Sequence, residues 1–213
     1  KEVKKIEEDK PMGKINRIPG KLITEKMVGE RPKLRAFLKE RMIGVDSCIQ
    51  HKFRYDYERS MRLIMPIFDH KENMVAYQGR DITGKAILPY ITQPKGVDLG
   101  NTLFNINNYN EEKCVIIVEG IIDAIRTEQI LKREYIKICV LACFTNNPTI
   151  EQLLLIPEVE KVLVMLDSDA WINHKKFRDL PMDIEPIILP KDKDPGSLTD
   201  EEFLQLNLSQ YLP

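Results

Sequence analysis

Val115-Ile116-Ile117-Val118-Glu119-Gly120-Ile121-Ile122-Asp123 and, further along, Val162-Leu163-Val164-Met165-Leu166-Asp167-Ser168-Asp169 decide how this 213-residue chain folds. Each is a run of β-branched and aliphatic side chains that ends in acids and leads into a helical pattern. That pattern predicts a buried parallel strand with carboxylates at its carboxyl end. In open α/β sheets this edge is where ligands bind. A glutamate at one strand end and an Asp-x-Asp pair at another put three carboxylates around one crevice, and hard oxygen clusters of that kind hold Mg²⁺ or Mn²⁺. The expectation is metal-dependent phosphate chemistry.

Outward from these runs, strand and helix alternate. Strands are predicted at 114–118, 136–141, 161–166 and 185–189, and helices at 121–132, 149–155, 170–180 and 199–207. Parallel pairing of such units requires right-handed crossovers and gives a parallel sheet flanked by helices. Upstream, Leu34 to Ile43 repeats apolar residues at helical spacing after Pro32 and is stopped by Gly44. Arg62 to Phe68 and Met74 to Ile82 flank the polar turn Asp69-His70-Lys71-Glu72-Asn73, a β-hairpin pattern. Pro66 lacks an N–H, so its strand is expected at an edge or a bulge. Residues 1–30 are rich in Lys and Glu and broken by Pro11, Gly13, Pro19, Gly20 and Gly29, which reads as an arm or linker. Three parts follow: an arm at 1–30, a smaller basic α+β subdomain at 31–110, and an α/β domain at 111–213.

Charge separates along the same division. The net charge is −1, yet residues 1–62 hold 17 Lys+Arg against 10 Asp+Glu while the rest hold 15 against 23. A basic front joined to an acidic back suggests a polyanion-binding surface beside a metal-binding site. No apolar run approaches the ~18 residues of a membrane span, so no membrane partner is expected. The chain begins at Lys1 without a signal pattern, which reads as a piece of a longer cytoplasmic polypeptide. Cys48, Cys114, Cys139 and Cys143 form no Cys-x-x-Cys pair and are expected as buried thiols, not a zinc site. His51, His70 and His174 have no metal-ligand spacing. His174, one turn past Asp169, is expected at the surface, with an approach to a nucleotide as the alternative, and Trp171 reads as a core anchor or as a mark of divergence.

Glu119-Gly120 with Asp123, followed 48 positions after Glu119 by Asp167-x-Asp169, resembles the Toprim signature shared by DnaG-type primases, topoisomerases and some nucleases. The upstream block, Leu63 to Asp69, Met74 to Asp81 with Gly79-Arg80, Pro89-Tyr90-Ile91 and Leu103-Phe104-Asn105, resembles the region preceding Toprim in the DnaG-type RNA polymerase core. The resemblance implies a Toprim-type parallel sheet behind a smaller α+β subdomain. It implies the catalytic core of a DNA primase that joins ribonucleoside triphosphates on single-stranded DNA by a two-metal mechanism, with Mg²⁺ or Mn²⁺ as cofactor. Glu119, Asp167 and Asp169 would be catalytic and, with Asp123 and Asp194, would hold metal. Asp123 can alternatively steady its helix N-terminus. Gly120 would let a phosphate approach the backbone, and Arg80 matches the family's arginine facing template or nucleotide. A replicative helicase would be the partner, in a bacterial or phage-infected cell.

The chain departs from the family at three places. Pro89 replaces a lysine, leaving Lys85 or Lys95 as substitutes. Gly196 stands where a second aspartate follows Asp194, with Asp192 nearby to compensate. The small residues after the Asp-x-Asp pair are replaced by Ala170-Trp171-Ile172, the mark of a divergent, phage-type member. A Toprim nuclease using the same acids, and a non-catalytic module that binds nucleic acid or docks a helicase, remain as alternatives. A topoisomerase would need a further domain with a strand-cleaving tyrosine.

Overall fold

Two sheets carry the chain, and short caps and turns set where each element starts. The computed structural model describes Ile15 and residues 17–212. Its first part runs β1 (Lys21–Leu22), α1 (Glu25–Glu30), α2 (Pro32–Glu40), α3 (Val45–Gln50), β2 (Arg54–Asp56), β3 (Arg62–Phe68), β4 (Met74–Asp81) and β5 (Tyr90–Gln93). The Thr24 hydroxyl accepts from the Met27 N–H to start α1. Pro32 opens α2, where its missing N–H costs nothing, and the helix buries Leu34, Phe37 and Leu38. The five strands pair antiparallel in the order β1-β2-β3-β4-β5.

An arm reaching to residue 30 needs correction. Residues 1–14 and 16 lie outside the described residues, but Lys21 and Leu22 pair with Tyr55 and Arg54, and α1 follows at once. Gly20 makes this docking possible: at φ +74° its missing Cβ would stand 2.6 Å from the Tyr55 backbone, while the Arg54 guanidinium donates to the Pro19 and Gly20 carbonyls. Pro66 sits in a strand with neighbours on both sides, yet β2 reaches only to Ile64, so Pro66 has no partner there. A register shift between Ile67 and Phe68 adds a bulge.

The second part runs β6 (Cys114–Val118), α4 (Ile121–Arg133), β7 (Cys139–Ala142), α5 (Ile150–Leu154), β8 (Lys161–Val164), β9 (Asp183–Pro186) and α6 (Asp200–Gln205). All four strands are parallel, in the order β7-β6-β8-β9. Thr149 with Gln152, and Thr199 with Glu202, form reciprocal caps that start α5 and α6. The helix expected over 170–180 is instead a 3₁₀ segment, Trp171–Phe177. Side chains compete with the backbone there: Asn173 donates to the Asn146 carbonyl and His174 to that of Trp171.

Alternation along β6 divides the core between two faces. Cys114, Ile116 and Val118 join α4, the α2 residues Leu34 and Phe37, the β3 residues Leu63 and Met65, and Phe203 of α6. Val115 and Ile117 join Leu103, Ile156 and Phe177 on the other side. The first sheet and α4 therefore share one core. Polar ties reinforce the junction: the Gln129 side chain accepts from Gly44 N–H at 2.7 Å and donates to the Met42 carbonyl at 2.9 Å, and His51 meets Glu128 at 2.7 Å. All four cysteines are free and buried. Among the described residues, no helix is long and apolar enough to cross a membrane.

Candidate active site at the carboxyl edge of the parallel sheet

From β6 the chain moves outward to β7, then returns across β6 to β8, so the strand order reverses between β6 and β8. The crevice beyond the carboxyl ends of those two strands is where an α/β sheet binds ligands. Glu119 follows β6, and Asp167 to Asp169 follow β8. The Asp167 N–H donates to Glu119 Oε1 at 3.2 Å, joining the two strand ends directly. The turn after β9 closes a third side. Ser168 N–H donates to the Lys193 carbonyl, and Lys193 N–H to Ser168 Oγ, so the loops bearing Asp167 and Asp194 are knitted together.

Asp123, one turn into α4, is half-buried. Its Oδ2 accepts from Gly120 N–H at 3.0 Å and its Oδ1 from Gly196 N–H at 3.1 Å. One carboxylate thus caps α4 and anchors the loop after β9, which favours the structural role for Asp123 over direct ligation. Gly196 is required for this: a Cβ there would lie 2.5 Å from Asp123 Oδ1 and 3.2 Å from Asp194 Oδ1. A second aspartate at this position would displace the Asp123 carboxylate from the Gly196 N–H.

Asp167, Asp169, Asp192 and Asp194 line a cleft of about 210 Å³ together with Ser168 and Lys193. Hollows of about 440 Å³ lie elsewhere, but neither gathers four carboxylates. Burial, with Asp167 next and Asp169 and Asp194 adding, pushes Glu119 up to about 7. Burial and the charges of Asp194 and Asp167 push Asp123 up to about 8, despite its two backbone hydrogen bonds. Asp167 rises to about 6 for the same reasons, with Asp194 and Asp169 as neighbours. Its Oδ1 is buried and has no hydrogen-bond partner. Among the described residues, no three His, Cys, Asp or Glu side chains stand at metal-ligand spacing as they are. The donor set is nonetheless all hard oxygen, mutually repelling and with one orphaned carboxylate atom, which fits a divalent cation.

Opposite the acids stands the edge of the first sheet. Arg80 and Tyr90 pair across β4 and β5, and the guanidinium lies over the phenol ring at 4.5 Å. Burial raises the Tyr90 phenol, with Arg80 and Arg41 opposing and Asp123 and Asp194 adding, which puts both signs of charge around this ring. The Nε atoms of Arg41 and Arg80 are buried without partners. Tyr90 and Arg41 carry no motif of their own; the signal for Tyr90 was its position in the Pro89-Tyr90-Ile91 block, and for Arg41 there was none. Lys85 and Lys95 are exposed on loops; the Lys85 N–H is bound by Asp81, and Arg62 clamps the same loop through the Leu88 and Pro89 carbonyls. His174, expected at the surface, is 5% exposed, whereas Trp171 is 37% exposed and no core anchor.

No family model matches the chain. A DNA primase of Clostridium acetobutylicum is 29% identical over 171 residues, 74% of this chain and 26% of that protein. The chain thus spans about a quarter of the length of the curated relative it matches. The crystal structure of the Aquifex aeolicus primase, comprising zinc-binding and RNA polymerase domains, superposes with a TM-score of 0.68 at 20% identity, covering 85% of this chain and 57% of that one. The DnaG primase catalytic domain bound to single-stranded DNA gives 0.66 at 16% identity, covering 86% and 74%. The fold is that of the DnaG-type catalytic core, and the sequence is related to a DNA primase.

Proposed function

We propose that this chain is the catalytic core of a DNA primase, joining ribonucleotides into short primers on single-stranded DNA. The observation that carries the reading is the convergence of Glu119, Asp167, Asp169 and Asp194 at the strand-order reversal of a primase-type sheet. Glu119, Asp167, Asp169 and Asp194 would hold Mg²⁺ or Mn²⁺, with Asp192 at the rim. Bound there, the cations would activate the attacking 3′-oxygen and neutralise the pyrophosphate leaving group.

The remaining work falls to side chains of the chain itself. Asp123 fixes the Gly120 and Gly196 turns, so the acids on either side keep their separation. Arg80 and Tyr90 of the first sheet, with Arg41 at the end of α2, face the acids and would bind the phosphates of template or nucleotide. Lys85, on its clamped loop, would extend that basic side. The basic front of the chain would hold the template backbone, as the solved DnaG domain bound to single-stranded DNA suggests by analogy. A helicase and further domains of a longer polypeptide belong to the same proposal.

The same acids could cleave rather than join. Incubating end-labelled single-stranded DNA with Mg²⁺ or Mn²⁺, with and without ribonucleoside triphosphates, separates the two: extension products that require nucleotides and leave the template intact support the primase. Template shortening without nucleotides would establish a nuclease instead.

A further inference from the structure

The 3₁₀ segment beside the acids carries the chain's single tryptophan. Trp171 lies two residues past Asp169, one of the acids that line the cleft, and packs with neither hydrophobic cluster. Its indole instead stacks on the His174 ring, at 5.7 Å between centroids and 10° between planes. His174 is buried and doubly held. The Trp171 carbonyl can only accept, so the Nδ1 at 2.8 Å carries the proton, and Nε2 receives the Arg178 guanidinium at 3.4 Å. Asn173, between the two rings in sequence, is pinned to the Asn146 carbonyl at 2.8 Å, and Ala170 N–H to the Asp167 carbonyl at 2.9 Å. Arg178, His174 and Trp171 thus form a supported stack rather than a loose surface side chain. Lys175 and Lys176 stand exposed on the same segment.

A tryptophan that keeps 37% of its surface exposed beside a polar site forgoes part of the burial that usually accounts for the residue. A flat indole backed by a fixed imidazole, on a segment that carries exposed lysines and begins two residues past cation-directed acids, matches one kind of ligand: a nucleobase attached to phosphates. We propose that Trp171 is a base-stacking platform for the incoming nucleoside triphosphate, with His174 as its positioning residue. The proposal rests on the nucleotide-polymerising reading of the acidic cleft and adds to it the place where the base sits.

Because Trp171 is the sole tryptophan, its fluorescence reports the site directly. ATP or GTP with Mg²⁺ is expected to quench it saturably, whereas Mg²⁺-tripolyphosphate, which has no base, leaves it unchanged. Trp171→Ala should weaken ATP binding measured by equilibrium dialysis by about fivefold or more, Trp171→Phe should restore most of it, and tripolyphosphate binding should be equal in all three, which also reports intact folding. Equal quenching by tripolyphosphate, quenching by oligodeoxynucleotide alone, or undiminished ATP binding by Trp171→Ala would overturn the platform. Base-dependent quenching in a chain that makes no RNA even with a primase zinc-binding domain supplied in trans upholds the platform and overturns the polymerase. RNA synthesis without base-dependent quenching does the reverse.

Discussion

At the scale of single residues, the acidic edge stores repulsion that a cation would relieve. Glu119, Asp123 and Asp167 sit at about 7, 8 and 6, above the ordinary carboxylate range. In metal-free protein the folded state therefore holds protons that the unfolded chain has released. The stability associated with these groups is fully present below the ordinary carboxylate range and is lost as pH rises through 6 to 8. In chelated buffer, Tm should fall across that window, Asp167→Asn should flatten the fall, and Mg²⁺ should raise Tm more at the upper end than at the lower. A Tm that climbs over the same window without metal would contradict this. Gly196 makes a second residue-scale prediction. Gly196→Ala drives a Cβ into Asp123 Oδ1 and should cost about 1–3 kcal/mol in urea unfolding, the usual range for overpacking.

At the scale of elements, α4 joins the parallel sheet to everything in front of it. Gln129 satisfies the Gly44 N–H and the Met42 carbonyl, and Arg126 and Arg133 pair with Asp200 at the start of α6. Gln129→Ala leaves those two backbone groups without their partner and should lower the unfolding free energy by about 1–3 kcal/mol, with an unchanged far-ultraviolet spectrum. Loss of less than about 0.5 kcal/mol would mean that water replaces the side chain there. Strands β6 and β8 were readable because their apolar runs are buried on both faces and lead into acids. Strand β5 was not: Tyr90-Ile91-Thr92-Gln93 is short, exposed at Tyr90, and formed by pairing with β4. Strand β1 was hidden in the same way, since two residues after Pro19-Gly20 become a strand only through Tyr55 and Arg54. The 3₁₀ form of 171–177 depends on side-chain bonds to partners that local periodicity does not encode.

For the whole molecule, the basic front and the acidic edge meet through one shared core, which sets Arg80, Arg41 and Tyr90 against the carboxylates of the second sheet. The acids were legible because strand ends converge wherever strand order reverses; Tyr90 and Arg41 were not, because their approach is made by the packing of two sheets. If the front holds a template by its phosphates, affinity for a single-stranded oligonucleotide should fall about tenfold or more between roughly 50 and 200 mM salt. A salt-independent affinity would mean that the basic front does not hold the template by its phosphates. The most direct test of the central claim is synthesis of labelled RNA from ribonucleoside triphosphates on varied single-stranded DNA templates with Mg²⁺ or Mn²⁺, beside Asp167→Asn. Short, template-dependent RNA that disappears in Asp167→Asn is the expected result. Equal product from both proteins, or none on any template when a primase zinc-binding domain is supplied in trans, would contradict it.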